Sequence, residues 1–452
     1  MYHRVLLAAL AFCVAAAPAA AQDVIAFRGV NVVPMDEERV LENQSVIVRG
    51  GSIESIGPAA STAIPSGAAV VEGNGRYLLP GLAEMHAHVP GRGDPDYVEE
   101  VLLLYVANGV TTARGMLGDP SHLELRERLE RHEVLGPRLV TSGPSLNDDS
   151  VGSPEEARRM VREQAQDGYD FVKLHPGLTR EEFDAAVEAA AEAGIDLAGH
   201  VSEDVGVGRA LEAGQATIDH LDGYVQYLVP QDAAADAPAG FFGIGLANRV
   251  DAGRIPAAAR ATRDAGVWNV PTQTLIEHWA APRPSAVQLA ARPEMAYVPA
   301  ATRQQWIAAK RQVMESPGYT EDKAWRLVDV RRRLVKALHD AGAGLLLGSD
   351  APQVFNVPGF SIHHELDAIV AAGLTPYEAL RTGTVNPATF LGVEDEFGRI
   401  AAGLAADFLL VDGNPLDSVA VLREPAGVML RGRWLDRETL DGRLAEVANR
   451  YR

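Results

Sequence analysis

The sequence predicts an α/β protein in which a closed (β/α)8 TIM barrel over residues 78–392 carries a small β-sandwich domain built from residues 22–77 and 393–452. Eight apolar, strand-like runs alternate with amphipathic stretches rich in Ala, Glu and Arg between residues 78 and 392, the pattern of a barrel of parallel strands. Shorter β-like runs lie on both sides of that region. With 452 residues, of which 47% are hydrophobic and 23% charged, the chain can form one large domain and a smaller companion.

The first 21 residues have the layout of a secretory signal peptide. Arg4 precedes an apolar run over residues 5–17, and three alanines precede Gln22. The apolar run is too short for a convincing membrane span, so we expect cleavage and a periplasmic or secreted protein rather than an uncleaved anchor. Cys13, the single cysteine of the chain, lies in this segment. We therefore expect no disulfide, cysteine nucleophile or thiolate metal ligand in the mature protein.

The overall charge bears on possible partners. The formal net charge is −20 and the sequence pI is about 5.0, so a polyphosphate would meet general repulsion. We expect a small-molecule substrate and neither a nucleic-acid nor a membrane partner. A homo-oligomer is the default expectation for a soluble protein.

The two ends of the chain read as β structure. Residues 24–57 contain VIAFRGVNVV and SVIVRGGSIESIG, with a turn at the adjacent glycines of the second run. After residue 393, strand-like runs occur again in GRIAAGLAADFLLVDGN and GVMLRGRWL. These pieces are expected to pair with each other. The Ala-rich stretch at residues 231–240 is predicted to be a loop.

The eight central runs end in polar residues. In chain order they are LLPGLAEMHAH, GVTTARGM, PRLVTSG, FVKLH, IDLAGHV, ATIDHL, WNVPTQT and GLLLGSD. A His-x-His pair alone does not distinguish a metal site from ordinary structure. All parallel barrel strands end on one face, however, where active sites of this fold are built. Six side chains are expected to meet there: His86, His88, Lys173, His200, His220 and Asp350.

Lys173 needs its own explanation because it is one of only four lysines and lies inside an apolar strand. Burying an ammonium is costly unless it is paired or neutralised. Nearby divalent cations would favour loss of its proton, and the neutral amine could then add carbon dioxide to form a carbamate that bridges two metal ions. A ligand set of nitrogen and oxygen suits Zn²⁺ best, with Mn²⁺, Co²⁺ or Ni²⁺ as alternatives.

Seven segments carry a family resemblance: PGLAEMHAH, FVKLH, AGHVSE, TIDHLDGY, GSDAP, TVNPATFLG and GRIAAGLAADFLLVDGNPL. With these segments the sequence resembles the amidohydrolase superfamily, in the branch of imidazolonepropionase-like hydrolases and Zn-dependent Xaa-Pro dipeptidases or carboxypeptidases. The resemblance extends over nearly the whole chain after residue 21. Residues 222–265 and 275–340 depart from it, because they align with no member of defined substrate.

The resemblance implies a centre of two divalent metal ions, Zn²⁺ by preference. His86 and His88 would hold one ion together with Asp350, and His200 and His220 would hold the second. N6-carboxylated Lys173 would be the bridging ligand. A small β domain made from both chain ends is also a feature of the family.

These residues predict hydrolysis of an amide or peptide bond in a small substrate, such as a dipeptide or an N-acyl amino acid. Two cations that share a water lower its pKa toward neutrality, and Asp350 could accept its proton and return it to the leaving amine. Tyr224, Tyr227 and His175 are candidate donors to the oxyanion. The alternatives are packing for the tyrosines, and a strand cap or a partner of a metal ligand for His175.

Further residues are candidates for the substrate pocket. Arg114 could hold a substrate carboxylate in a bidentate pair, or form a surface ion pair. Tyr227, Glu277 and His278 are also predicted to bind substrate. The run of three arginines at residues 331–333 is predicted to be a solvated helix face.

Three other functions stay open at this level. A mononuclear deaminase is the nearer alternative, because Glu203 follows His200 at a spacing that deaminases of this superfamily use for proton transfer. A bridging lysine argues against it, since a one-metal centre has no need of a bridge. The same centre could also open lactones or esters, and a non-catalytic metal-binding scaffold is the more remote alternative.

Overall fold

The computed structural model describes residues 24–234 and 238–452. The predicted signal peptide at residues 1–21, with Cys13, lies outside the described residues. Within the described part of the chain, no helix combines the length and the apolar character that crossing a membrane requires.

Fifteen strands occur in the described residues. They are β1 (Val24–Val32), β2 (Leu41–Arg49), β3 (Ser52–Pro58), β4 (Ala69–Glu72), β5 (Tyr77–Pro80), β6 (Leu82–Ala87), β7 (Val110–Gly115), β8 (Arg138–Thr141), β9 (Phe171–Leu174), β10 (Asp196–Gly199), β11 (Thr217–Asp219), β12 (Trp268–Val270), β13 (Phe408–Val411), β14 (Gly427–Leu430) and β15 (Arg433–Asp436).

Sixteen α-helices accompany these strands over the same described ranges. They are α1 (Pro95–Ala107), α2 (His122–Glu130), α3 (Pro154–Asp167), α4 (Arg180–Ala193), α5 (Gly206–Ala213), α6 (Tyr224–Leu228), α7 (Gln231–Ala234), α8 (Ile255–Asp264), α9 (Gln273–Trp279), α10 (Ala286–Ala290), α11 (Ala300–Met314), α12 (Glu321–Ala341), α13 (Phe360–Ala371), α14 (Pro376–Thr382), α15 (Val385–Leu391) and α16 (Arg437–Arg450). Four segments are 3₁₀-helical: Phe241–Arg249, Ala252–Arg254, Pro293–Tyr297 and Val419–Leu422.

One eight-stranded sheet joins the two ends of the chain. Its order is β15-β14-β13-β5-β1-β2-β3, with β4 paired to β1, and β13 lies antiparallel to β5. Its core is mainly aliphatic and includes an aromatic cluster, in which the buried Phe27 ring contacts the rings of Phe408 and Trp434 edge-on at 5.1 and 4.9 Å. Burying a side chain of this size contributes about 1.5–3 kcal/mol. The prediction that β structure from both chain ends pairs into one unit is confirmed.

The central region contains parallel strands connected by helices. One sheet has the order β6-β7-β8 and another the order β12-β11-β10-β9, and every pair in both is parallel. Parallel neighbours need a crossover, which α1 to α5 and α8 supply here. The eighth predicted run, GLLLGSD, is not a regular strand; it makes an isolated parallel bridge at Leu345, and Ala351 directly after it makes another. The chain is therefore a mixed α/β protein in which the structure does not resolve a continuous barrel.

Helix α4 shows how the sequence sets these boundaries. The Thr179 side chain accepts a hydrogen bond from the Glu182 backbone, and the Glu182 side chain accepts one from the Thr179 backbone. Such a cap is worth about 1 kcal/mol. The helix ends at Gly194, whose φ of +69° lies in the left-handed region that favours glycine. Phe183 and four alanines of α4 (Ala185, Ala186, Ala189 and Ala190) are buried, and α4 contacts β10, the strand that leads to His200.

Two details differ from the sequence prediction. The Ala-rich stretch at residues 231–240 is not all loop, because residues 231–234 form the short helix α7. The predicted boundary at residue 77 also falls inside β5, which pairs with both β1 and β13 of the terminal sheet.

Candidate metal centre

The candidate centre lies where the parallel strands end. His86 is in β6 and Lys173 in β9, whereas His200 and His220 directly follow β10 and β11. Non-glycine residues with positive φ are found here, including His220 at 59°, Asp350 at 61° and Thr272 at 44°. Such backbone costs of order 1–3 kcal/mol per residue and persists only where the surroundings enforce it. The strand ends are therefore held in the conformation that brings these side chains together.

His86, His88 and Asp350 form a group that can hold a metal ion. One ligand atom from each residue lies within 4.8 Å of the others, and Asp350 Oδ1 is 3.0 Å from His88 Nε2 and 3.7 Å from His86 Nε2. Burial lowers the pKa of His88 to about 3 and that of His86 well below its ordinary value. Both imidazoles are therefore neutral, which is the form that ligates metals.

Asp350 itself is buried with its Oδ1 atom lacking a hydrogen bond. Burial raises the pKa of this carboxyl to about 7 in the metal-free protein. An unsatisfied buried carboxylate beside two neutral imidazoles is costly unless a cation is bound. The donor set of two nitrogens and one oxygen fits a divalent ion such as Zn²⁺.

His200 and His220 form a second pair beside this group. Their ring centroids are 4.4 Å apart, and the His220 ring is 4.5 Å from that of His86. The Nδ1 atom of His200 lies 2.5 Å from Asp222 Oδ2, and that of His220 lies 2.8 Å from Thr272 Oγ1. Because each Nδ1 is occupied, Nε2 is the nitrogen that remains for a ligand.

Lys173 completes the predicted set. Its side chain is fully buried and its Nζ has no hydrogen-bond partner. The nearest carboxylate atom is Asp219 Oδ2, at 3.6 Å, and burial lowers the pKa of the amine. The aliphatic part of the side chain passes Gly199, where an added Cβ would be 2.8 Å from Lys173 Cδ and 2.5 Å from the Leu174 carbonyl oxygen. Glycine is needed at this position for the lysine to reach the centre.

Asp219 is a central residue that the sequence analysis missed. Its Oδ2 lies 3.0 Å from His86 Nδ1 and 3.7 Å from Arg114 Nη2, and its Oδ1 accepts a hydrogen bond from Thr217. Burial raises the pKa of this carboxyl, but Arg114, Lys173, His220 and the Thr217 hydrogen bond together outweigh burial and the net shift is downward. Asp219 is therefore ionised, and its charge lies at His86 Nδ1, on the side away from Asp350, in a close contact without hydrogen-bond geometry. The acidic residues on either side of His220 in TIDHLD were the available signal.

A second missed residue, Glu84, fixes the segment that carries Asp350. Its carboxylate accepts hydrogen bonds from Ser349 N at 2.7 Å, Ser349 Oγ at 2.6 Å and His86 N at 3.1 Å. Asn356 donates to the Ser349 carbonyl from the other side. Burial raises the pKa of Glu84 to about 8. The first and last of the eight runs are thus connected directly at the centre.

The other predicted catalytic residues differ in placement. The His175 ring stacks on His200 with centroids 5.1 Å apart, and its Nδ1 is buried without a partner. Burial lowers the pKa of His175 to about 2. Tyr224, in contrast, is buried in the core, and its hydroxyl is 2.7 Å from Thr262 Oγ1. The structure brings His175 to the centre and does not bring Tyr224 there.

Three predicted substrate-binding residues are occupied by internal contacts. Arg114 is buried, donates to Thr217 and lies over the rings of Phe171 and Phe390 at 4.9 and 5.3 Å. Glu277 accepts two hydrogen bonds from Arg332, each 2.8 Å long. The ring of His278 is held by Asn356 and Arg292, both at 2.8 Å. The structure does not place these three residues in the pocket beside the centre.

The prediction for the arginine run is wrong at its first residue. Arg331 is only 2% exposed, and its guanidinium donates to the carbonyls of His220 and Pro271 and to the Gln273 side chain. It therefore ties α12 to the ends of β11 and β12. The signal was helical spacing, since Leu327 and Leu334 lie four residues before and three after Arg331 on the same face.

A cavity of about 790 Å³ opens beside the centre. His200 and Asp222 line it, as do Tyr227, Phe241 and Phe242. His86, His88 and Asp350 are not part of its lining, so the cavity adjoins the metal centre on the side of His200. A volume of this size accommodates a small-molecule substrate.

Comparison with known proteins identifies the family. Residues 77–435 match the amidohydrolase family. An ochratoxinase of Aspergillus niger is 23% identical over 415 residues, covering 78% of this chain and 73% of the relative. The structure of a bottromycin amidohydrolase has a TM-score of 0.70 at 24% identity and covers 95% of this chain and 91% of that chain. A putative prolidase from Bifidobacterium longum has a TM-score of 0.66 at 24% identity, with coverage of 95% and 100%.

The chain belongs to the amidohydrolase family. It is a metal-dependent hydrolase of that family acting on carbon–nitrogen bonds, with a metal site formed by His86, His88 and Asp350.

Proposed function

We propose that this protein is a binuclear hydrolase that cleaves the amide or peptide bond of a small substrate of the dipeptide or N-acyl amino acid type. The observation that carries the proposal is Lys173, whose buried Nζ has no hydrogen bond although it lies among the predicted ligands. A permanent structural lysine would be expected to have its donors satisfied. Carboxylation of Lys173 and its use as a shared ligand of two Zn²⁺ ions would account for the missing hydrogen bonds.

The second metal position rests on the four-histidine arrangement. His200 and His220 each present one nitrogen after Nδ1 is occupied, and His220 lies next to His86. These two histidines and the carbamate would hold the second ion. When bound, the ions supply an activated water and polarise the scissile carbonyl.

The chain's own residues provide the proton transfer and the binding groups. Asp350 Oδ1 lacks an intramolecular hydrogen bond, so it can take a proton from the attacking water and return it to the leaving amine. Tyr227 lines the cavity and is a better donor to the oxyanion than Tyr224, whose hydroxyl is held by Thr262. His175 is the other candidate for that role. Similarity to proteins named as a prolidase and as a bottromycin amidohydrolase supports an amide or peptide bond as the target.

We also propose that the eight runs close into a (β/α)8 barrel. Asp170 N donates to Thr141 O at 3.0 Å between β8 and β9, and Leu346 N donates to Asn269 O at 2.9 Å after β12. Met85 N donates to Leu347 O at 2.8 Å, returning to β6. These bonds connect both parallel sheets through the segment before Asp350. Residues 78–392 would then be the barrel, and residues 22–77 with 393–452 a composite β-sandwich.

The location, oligomeric state and partners of the enzyme are proposed from the sequence. Cleavage of residues 1–21 would deliver a periplasmic or secreted enzyme that acts on a small molecule as a homo-oligomer, without a nucleic-acid or membrane partner. The acidic net charge of −20 supports the exclusion of nucleic acid.

The test combines metal analysis with a hydrolysis screen. The purified protein is loaded with Zn²⁺ and assayed against Xaa-Pro and other dipeptides, N-acyl amino acids and aromatic lactones, with Lys173→Ala as control. We expect two ions per chain, amide hydrolysis, and loss of both the second ion and activity in the variant. One ion per chain with unchanged activity in Lys173→Ala would refute the binuclear proposal.

A mononuclear deaminase is the second candidate, because the structure places Glu203 in the cavity lining together with His200. That carboxylate could move a proton at the attacked carbon of a ring substrate. Release of ammonia from purines or pyrimidines by a protein with one bound ion, and no hydrolysis of dipeptides, would favour this function.

A further inference from the structure

The cavity beside His200 has an aromatic wall formed by Phe241 and Phe242, and Trp279 packs against Phe241 outside the cavity lining. Phe241 contacts the rings of Phe242 and Trp279 at 4.7 and 4.8 Å, and Phe242 lies 5.8 Å from the His220 ring. Phe241 and Phe242 both line the cavity. The wall therefore extends from a predicted metal ligand into the substrate space.

The backbone holds this wall in place. Phe242 has a φ of 47° and Gly243 a φ of 80°, so the segment turns sharply between the two helical pieces. A Cβ at Gly243 would be 2.7 Å from Val225 Cβ, so the turn packs directly on α6. A strained turn enforced by close packing is typical of residues that position a ligand.

The charges that line the cavity leave one carboxylate unpaired. Arg209 donates to Asp184 at 2.7 Å, and Asp222 is paired with His200 at 2.5 Å. Glu203 is a solvent-exposed residue at the same cavity, and it has neither a hydrogen bond nor an ion pair within the described residues. The unpaired charge that the cavity presents to a substrate is thus negative, and it favours a cationic group.

We propose that the cavity selects substrates that carry both a protonated amine and an aromatic side chain. The amine would lie at Glu203, and the aromatic ring would lie against Phe241 and Phe242, where offset or edge-on contacts are favourable. This inference rests on the proposed amide hydrolysis, and within it selects dipeptides with a free α-amine over N-acyl amino acids. An acyl group removes the positive charge that Glu203 would recognise.

Binding probes without a hydrolysable bond test the recognition by itself. The metal-loaded protein is titrated calorimetrically at pH 7 with 2-phenylethylamine, with its neutral isostere 2-phenylethanol, and with ethylamine. We expect 2-phenylethylamine to bind about fivefold more tightly than 2-phenylethanol, the size expected of one partly exposed charge pair. It should bind about tenfold more tightly than ethylamine through the aromatic contacts.

Two variants, Glu203→Gln and Phe241→Leu, and one control variant, Asp204→Asn, test which residues are responsible for these binding preferences. Glu203→Gln should remove the preference for the amine, whereas Asp204→Asn, which neutralises the neighbouring exposed carboxylate outside the cavity lining, should retain it. Phe241→Leu should reduce the preference for the aromatic ring. Equal binding of 2-phenylethylamine and 2-phenylethanol to the wild-type protein overturns the inference, as does an amine preference that survives Glu203→Gln.

A hydrolysis assay separates this inference from the function on which it rests. Phenylalanyl-alanine and N-acetyl-phenylalanyl-alanine share one scissile bond and differ in the free amine. We expect kcat/KM to be about fivefold higher for the free dipeptide, with the difference absent in Glu203→Gln. Equal or faster cleavage of the acetylated peptide overturns the inference alone. Absence of all amide hydrolysis, with the binding preferences intact, refutes the proposed function instead.

Discussion

Lys173 and Lys310 are both fully buried, yet their surroundings differ. Lys310 lies in α11, which with α9, α12 and α13 forms a packed group of helices, here called the helical layer. Its Nζ donates to the carbonyls of His278 and Ala281 at 2.7 and 2.5 Å. Lys173 lies among the strand ends, and its Nζ donates to nothing. Burial lowers the pKa of both amines, that of Lys310 to about 8.

The same contrast holds for other charged groups of the two regions. In the helical layer, Arg331 has three partners, and Glu365 accepts hydrogen bonds from the backbones of Gln273 and Thr274 at 2.8 and 2.6 Å. At the strand ends, Asp219 Oδ2 and Asp350 Oδ1 have no hydrogen bond. Buried polar groups are normally satisfied. Among these charged groups, those without a hydrogen bond lie at the strand ends, where a bound ion could satisfy them, whereas those of the helical layer have partners within the chain.

The largest expected effect comes from the groups at the strand ends that lack a hydrogen bond. Lys173→Met should lower kcat/KM by at least about 10³-fold, because ligand chemistry at a metal centre supplies several kcal/mol of barrier reduction. The melting temperature should stay the same or rise, because the variant removes a buried amine that has no hydrogen bond and only a 3.6 Å contact with Asp219. Steady-state kinetics, metal analysis and thermal unfolding measure these quantities. A variant with wild-type turnover would place Lys173 in the same structural class as Lys310.

Asp219→Asn tests the carboxylate that holds His86. Asparagine keeps the shape but loses the charge beside His86 Nδ1, so metal affinity should fall by about 10–100-fold. Competition with a chromogenic chelator measures the affinity. Asp204→Asn is the matched control, and it should leave the affinity unchanged. Equal affinities for the two variants would show that Asp219 does not orient the ligand.

Lys310→Met should act on stability instead of chemistry. The carbonyls of His278 and Ala281 would be left buried without a donor, which costs about 1–3 kcal/mol of unfolding free energy. Denaturant unfolding gives that value, while kcat of the folded fraction should equal that of the wild type. A large loss of kcat without loss of stability would contradict the distinction between the two regions.

The raised pKa of Glu365, in the helical layer, predicts that the stability of the protein depends on pH. Burial raises its pKa to about 7 from an ordinary value of 4.5, so between these values the folded protein binds a proton that the unfolded chain has released. This group's contribution to stability is therefore complete below about pH 4.5 and falls as pH rises toward 7, by up to about 1.4 kcal/mol per pH unit. Denaturant unfolding of wild type and Glu365→Gln between pH 4.5 and 8, with chelator present, should show the smaller slope in the variant. Parallel pH profiles would contradict the assignment.

The smallest effect is expected for Tyr224→Phe. Loss of the hydrogen bond to Thr262 should cost about 1 kcal/mol of stability and leave kcat unchanged, because the side chain is buried away from the cavity. Tyr227→Phe is the informative partner, since a role in binding substrate or oxyanion would change its kinetics. A strong loss of kcat in Tyr224→Phe would restore the catalytic role that the sequence suggested.

The site residues at the strand ends were predictable because each of them lies in or next to an apolar run that is visible in the sequence. His86 and His88 follow an apolar run, Lys173 interrupts one, and Asp350 closes another. Parallel strands then bring such ends to one edge of the sheets whatever their separation in sequence. The structure places Lys173, the two histidine pairs and Asp350 next to one another, as that reasoning requires.

The supporting residues were harder to predict because their partners are distant in sequence. Asp219 lies opposite His86, and Glu84 bonds to Ser349, so neither pairing has a local pattern. Arg331 could have been found, because it continues a leucine stripe of α12, but three adjacent arginines resemble a solvated surface. Tyr224 was predicted to be catalytic because it closely follows His220 in the sequence, whereas the structure buries its side chain in the core as part of α6.

The terminal sheet has a consequence for the synthesis of the protein. β13 is inserted between β14 and β5, so β5 obtains its second neighbour only after the chain has reached residue 408. Until then the nascent polypeptide carries an open strand edge, the kind of surface on which chains associate wrongly. A ribosome that stalls between residues 392 and 407 would release a product that contains all six predicted ligands and has its β5 edge exposed to aggregation.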